Sequence, residues 1–468
     1  MADSVFDDCN RGGWSTFPFM IATLLGISVT SYGWVLNLIV FLIEEYNIKN
    51  IAAAQISNIV NGCLSMLHVV TAILADSFFG NIPVISTSAF ISLLGIVLLT
   101  LIAFFNNLRP QLCETGSFLC QSPPKLQFGI LYSALALVTI GNAGTRVALA
   151  SAGANQYEKP KDKGSFFNWY FLMVNTGAII SATAIVYTQE NASWELGFGL
   201  CAAANLISFI VFISGKRFYN HEKVMGSPFT SLIRVLVASK EEDYHREVGK
   251  DSKASVGMPS KSFRFLNRAA LKTEQDLNQE DGLGYNTWRL CSVEEVEDFK
   301  SVLPVVPLWL AILFVGTSIG VQASMTVLQA LVTDRELGSK FLVPAGSLPV
   351  IVLICVFLVL NNWTIYPMYQ RITHKKLSPL QQVGIGQVFN ILSMAIYAIV
   401  EVKRLKAVEN EHPMSVLWLF PPLVIVGIGD AFHYMGNVAV FYGEFPESLR
   451  NTSTSVIWNL ILLKYSSN

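Results

Sequence analysis

Between positions 127 and 154 a single charge, Arg146, interrupts a run of small and apolar residues. A helix of that length crosses about 30 Å of hydrocarbon. A guanidinium held inside hydrocarbon costs on the order of several kcal/mol unless it meets a partner, a wet cavity or the headgroup boundary. Two readings of Arg146 follow: it lines a functional cavity, or it snorkels to the headgroups along its own stem.

The rest of the chain makes 127–154 one span among many. Apolar stretches of crossing length also occupy 17–43, 52–74, 82–105, 166–187 and 197–213, and after a polar interval 304–328, 341–366, 382–402 and 416–442. Hydrophobic residues make up 52% of the chain and charged ones 14%, a balance that fits a polytopic membrane protein and excludes an ordinary soluble domain. The net charge of −1 and the lack of any basic tract interleaved with aromatics exclude nucleic-acid binding. No Walker loop, nucleophile elbow or metal-spaced His/Cys cluster is present, so neither an enzyme nor a metal or cofactor site is expected.

The expected architecture is an all-α polytopic membrane protein. A six-helix bundle fills 1–214, a soluble linker with a short amphipathic helix near Phe263 fills 215–300, and a second bundle fills 301–468. The last apolar run, 456–463, is about half the length needed to cross. The second bundle is therefore read as four helices and an incomplete eleventh, with the twelfth absent.

Basic residues set the expected orientation. Lys159, Lys161, Lys163, Lys216, Arg217, Arg371 and Lys375 fall on one side, which the positive-inside rule makes cytoplasmic together with the N-terminus and the linker. Lys403, Arg404 and Lys406 fall on the other side and count against it. This topology puts Cys113 and Cys120 outside as a disulfide candidate, and Asn191 of Asn191-Ala192-Ser193 outside as a glycosylation candidate. Asp430 and His433 stand three apart and share a helix face; His433, Asp430 and Gln322 are candidate cavity residues beside Arg146. His68 is a lone histidine in the second span, read more readily as a residue bonded to backbone than as a ligand.

Several motifs carry a resemblance. Phe166-Phe167-Asn168-Trp169, Asn175-Thr176-Gly177-Ala178, Gly12-Gly13-Trp14, Arg264-Phe265-Leu266-Asn267-Arg268 and Val426-Gly427-Ile428-Gly429-Asp430 resemble the plant nitrate and peptide transporter family, a proton-coupled oligopeptide transporter branch of the major facilitator fold. In proton-coupled members the first span carries Glu-x-x-Glu-Arg; counted from Gly12-Gly13-Trp14, those positions are Leu24, Ile27 and Ser28 here. The fourth-span cation of the family is matched by Arg146, so the resemblance implies a cation kept while its acidic partners are lost. A histidine known to bind nitrate in the seventh span of one member falls at Ile319 or Gly320. By the same resemblance, the arginine of the loop after the second span falls at Asn81 and the Asp-Gln pair at the end of the fourth span is Asn155-Gln156, so both changes remove charge from the cytoplasmic gate.

Loss of the first-span signature, with Ser31-Tyr32-Gly33-Trp34 and Asn37, looks like the nitrate excretion branch. The resemblance therefore implies a secondary carrier moving nitrate, or in some members chloride, out of the cell across the plasma membrane without the family's proton-coupling motif. Its alternatives are another anion, or a membrane protein that transports nothing.

Overall fold

Helices account for nearly all of the described structure. The computed structural model describes residues 12–110, 124–220, 234–237, 263, 266, 293–337, 341–350, 352, 378–409 and 414–444. Eight helical stretches among them are long and apolar enough to cross a membrane.

The first half is built from α1 (Phe17–Val35), α2 (Leu38–Glu44), α3 (Asn50–Leu74), α4 (Asn81–Phe104), α5 (Lys125–Asn155), α6 (Pro160–Ile180), α7 (Val186–Asn191) and α8 (Trp194–Ser214). The second half has α9 (Val293–Val302), α10 (Val306–Leu331), α11 (Pro379–Glu409) and α12 (Phe420–Glu444). Between α10 and α11 lies a hairpin of β1 (Glu336–Leu337) and β2 (Phe341–Leu342), paired antiparallel.

Three expected spans are modified. The stretch 17–43 is not one helix: it turns at Leu36 and Asn37, where Asn37 has φ −107° and ψ 12°, and α2 resumes beyond. The span expected at 166–187 starts earlier, at Pro160, and widens into a π-turn over Ser181–Ile185. There the Ser181 hydroxyl donates to the carbonyls of Val29 and Gly177, which holds the wide turn against α1. The stretch expected as a helix from 341 opens instead with β2 and a turn, and helix begins near Leu348; most of its remainder lies outside the described residues. Apolarity alone does not separate Phe341-Leu342-Val343 from the helix that follows.

The boundary expected at 300 falls within α9, which runs through Leu303–Val305 into α10. Val235 and Leu266 of the linker pack on Val296 of that helix. Beyond Phe263 and Leu266, the expected amphipathic helix lies outside the described residues, as do 456–463, Cys113 and Cys120.

Close packing seats the helix that carries Arg146. At Gly141 an added Cβ would meet Ser92 N at 2.2 Å and Ser92 Cα at 2.5 Å, so α4 and α5 touch backbone to backbone. Small residues at such a crossing are how helices associate where lipid offers no hydrophobic drive. Beside it a buried polar chain crosses three helices: Asn205 Nδ2 donates to Ser92 Oγ at 2.9 Å, and Ser92 Oγ donates to Asn142 Oδ1 at 3.0 Å.

Two apolar clusters divide the molecule. One joins both halves, with Trp34, Phe41 and Phe198 packed with Val327, Ala345 and Leu419. The other belongs to the first half and includes Met20, Leu149, Phe166, Tyr170, Phe212 and Tyr219. Among the described residues, contact between the halves is thus concentrated at the end where α2 finishes, here the Glu44 end. At the opposite end, Gln156 is tied within the first half: its carbonyl accepts from Gly13 N at 2.7 Å, and its side chain accepts from Asn220 N at 2.8 Å.

Candidate functional site

Arg146 sits on α5 two turns before the helix ends and is buried, at 7% exposure. Its Nη2 donates to the Tyr32 hydroxyl of α1 at 2.6 Å. The guanidinium carbon also lies 4.9 Å from the centroid of the Tyr32 ring, within cation–π range. One residue therefore holds Arg146 in two ways. Tyr170 of α6 closes the other flank: its hydroxyl donates to the Arg146 carbonyl at 3.1 Å, and it too is buried.

His68 on α3 is buried at 1% exposure and lies close enough to Arg146 to feel its charge. Thr71, one turn along the same face, packs toward Gly144 of α5. His68 thus lies one turn from the part of α3 that packs against α5. Tyr32 was visible only as a member of a motif, and Tyr170 was not singled out by the sequence at all. What marks them is that α1, α5 and α6 converge, and no sequence spacing shows that.

The three positions of the absent first-span signature are all buried. Leu24 belongs to the same apolar cluster as Leu149 and Tyr170. Ile27 is 2% exposed. Ser28 packs on α6, where a Cβ at Gly177 would meet the Ser28 Cβ at 2.5 Å. Apolar or small side chains thus occupy the three positions at which the resemblance expects two carboxylates and a guanidinium.

The candidates of the second half lie on α10 and α12. Asp430 and His433 are buried on α12, and Asn437 Nδ2 lies 3.1 Å from His433 Nδ1. His433 is packed against α11, where a Cβ at Gly386 would lie 2.7 Å from His433 N. Gln322 of α10 donates to Ser393 Oγ of α11 at 2.9 Å, and Ser393 passes the bond to the Pro422 carbonyl at 2.8 Å. These bonds knit α10, α11 and α12 together.

Asn191 is exposed in the last turn of α7, with its Nδ2 donating to the Tyr187 carbonyl at 3.1 Å. The connection to α8 is short, and Ser193 caps α8 by accepting from Leu196 N at 3.2 Å. Among the cations that weakened the charge count, Arg404 is bonded to Glu401 at 2.6 Å, and Lys403 lies 4.5 Å over the Trp418 ring. Arg404 thus has a counter-ion, whereas Lys403 keeps its charge over the ring.

Membrane-length helices in two connected sets, with a buried guanidinium between helices of the first, define a multi-pass membrane transporter. The chain belongs to the POT family, whose profile (PTR2, POT family) matches residues 83–465. It is 86% identical over 461 residues to Protein NRT1/ PTR FAMILY 2.1 of Arabidopsis thaliana, covering 96% of this chain and 83% of that protein. Protein NRT1/ PTR FAMILY 2.3 of the same plant is 70% identical over 459 residues, covering 95% of this chain and 82% of its own. Among solved structures, the fold is similar to that of the POT family transporter PepTSo, with a TM-score of 0.71 at 17% identity over 97% of this chain and 88% of the other. The family read from the motifs is thus shown, and it is one of transporters rather than enzymes.

Proposed function

We propose that this chain is a secondary carrier of a small inorganic anion, nitrate before chloride, working by alternating access between its two halves and releasing the anion outward. The observation that carries this reading is the pairing of a buried, doubly held Arg146 with uncharged residues at Leu24, Ile27 and Ser28. A fixed cation in low dielectric attracts an anion. The planar guanidinium fork suits a planar oxyanion better than a point charge would.

Asp430, His433 and Gln322 take a supporting part in this reading, as the polar face of the second half. Loaded anion comes from the side bearing Lys159, Lys161 and Lys163, which is cytoplasmic by the positive-inside rule. The plasma membrane is the proposed location, on the resemblance to the excretion branch. A bundle at 1–214, a linker at 215–300 and a bundle at 301–468 remain the proposed organisation.

The test is flux from vesicles loaded with nitrate, chloride or a dipeptide, with wild type compared with Arg146→Gln at matched abundance. Nitrate release that depends on Arg146, with little dipeptide release, supports the proposal. Dipeptide transport without anion transport contradicts it.

A further inference from the structure

At the end of the first half away from Glu44, a short strap leads into α1. Gly12 N donates to the Phe218 carbonyl at 2.8 Å and Gly13 N to the Gln156 carbonyl at 2.7 Å, so the strap is pinned between the end of α5 and the segment after α8. Both glycines hold positive φ, 90° and 67°, a conformation that a side chain would strain. Rings spread from the strap to either side. Trp14 meets Tyr157 at 5.3 Å between centroids, Phe17 meets Trp169 at 5.8 Å, and Phe19 stacks on Phe218 at 5.5 Å. The strap and the first turn of α1 therefore tie the start of α6 to the end of α8.

Five cations flank this junction. Lys159, Lys161 and Lys163 stand on the α6 side, and Lys216 and Arg217 on the α8 side; Lys163 is half-buried and the other four are exposed. Among the described residues none of the five makes an ion pair. Glu158 and Asp162 share the α6 segment and are outnumbered. Lys216 and Arg217 complement the carbonyl end of α8, but Lys161 and Lys163 lie in the first turn of α6, where the helix dipole disfavours a cation. Helix stability does not account for them. Beside the two groups of cations, Trp14, Trp169 and Phe218 are 49%, 44% and 42% exposed. Half-exposed tryptophan at the end of a membrane helix sits at headgroup depth, where Lys and Arg meet lipid phosphate.

We propose that this junction, with Lys159, Lys161 and Lys163 on one side of the strap and Lys216 and Arg217 on the other, is a binding site for an anionic phospholipid of the adjoining leaflet. The headgroup phosphate meets the cations, and the upper part of the acyl chains lies against the exposed rings. A headgroup held from both sides joins the start of α6 to the end of α8 and so braces the point where the strap enters α1. The site stands apart from Arg146 and does not use the carrier reading: a protein that moves no anion can hold the lipid.

The experiment uses the purified full chain in detergent, given phosphatidylserine or phosphatidylcholine with the same acyl chains, and native mass spectrometry counts the lipid retained at each concentration. The site predicts that phosphatidylserine is retained with about tenfold higher affinity than phosphatidylcholine. Lys159→Gln with Lys161→Gln and Lys163→Gln, and separately Lys216→Gln with Arg217→Gln, each remove most of that preference and leave phosphatidylcholine binding as it was. Lys159→Arg with Lys161→Arg and Lys163→Arg keeps the preference, which separates loss of charge from a variant that merely misfolds. Lys49→Gln with Lys125→Gln, two exposed cations at the other end, also keeps it. Equal retention of the two lipids by the parent overturns the site and leaves the cations as topology signals alone. A preference that survives either set of Gln substitutions, or that falls as far in the Lys49 and Lys125 variant, overturns it too. Displacement of the lipid by glycerophosphoserine at equal concentration assigns the patch to free phosphate esters and overturns the lipid site. Lipid preference in a protein that moves no nitrate upholds the site and counts only against the carrier reading.

Discussion

Arg146 and Tyr32 meet across α5 and α1 at 2.6 Å, although 114 positions separate them in the chain. The same phenol ring lies under the guanidinium, so the cation is fixed in direction as well as in place. In the proposed carrier, an anion arriving at this point would find a charge that needs little reorganisation to receive it.

Arg146→Gln is expected to lower anion flux at least tenfold while leaving membrane abundance near that of the parent, because the substitution removes the charge and keeps much of the volume. Arg146→Lys keeps the charge and loses the fork, so it should retain part of the flux. Initial rates of nitrate release at matched abundance check both. Parent flux in the Gln variant would remove Arg146 from the site.

Tyr32→Phe separates the two ways in which the ring holds the cation. It deletes a hydrogen bond to a charged group, worth roughly 1.5–3 kcal/mol, and keeps the cation–π contact. The half-saturating anion concentration should therefore rise in Tyr32→Phe and rise further in Tyr32→Ala. Concentration dependence of flux distinguishes this from general damage, which would lower the maximal rate in both alike.

Transport without obligatory proton movement follows from Leu24, Ile27 and Ser28. An inside-negative potential drives an anion outward by roughly 2.3 kcal/mol per unit charge per 100 mV, so efflux needs no proton gradient. In vesicles clamped by a potassium gradient, nitrate release should proceed at its full rate when the internal and external pH are equal. One proton moved with each anion would defeat the expectation.

Gly141→Val tests what seats the site. The added side chain would push into Ser92 backbone atoms at 2.2 and 2.5 Å, contacts that only a separation of α4 from α5 relieves. Overpacking of this kind costs about 1–3 kcal/mol or more. The variant should show lower membrane abundance and a lower thermal midpoint, whereas Gly129→Val, where nothing lies within 4 Å of an added Cβ, should not.

Hydropathy was enough to find the eight membrane-length spans among the described residues, because a helix crossing lipid must be long and apolar along its whole length. It could not find the turn at Leu36 and Asn37 or the π-turn at Ser181, since both are made by contacts with other helices and not by a change in apolarity. β2 escaped for a related reason: Phe341 and Leu342 are as apolar as the helix that follows. The charge of Arg146 was legible, because one cation in such a run has few explanations. Its partner was not, because nothing local ties Tyr32 to a residue on another helix. The ion pair of Glu190 with Arg335 was harder still: each sits at a polar helix end where charge is ordinary, and only the fold brings them together across 145 positions.

The most direct measurement is the initial rate of nitrate efflux from vesicles containing the chain, with Arg146→Gln and empty vesicles in parallel, at an imposed inside-negative potential and equal pH. The account predicts nitrate efflux well above that of empty vesicles, faster than chloride efflux, and lost in the Gln variant. Efflux no faster than from empty vesicles, or efflux that survives the loss of Arg146, would contradict it.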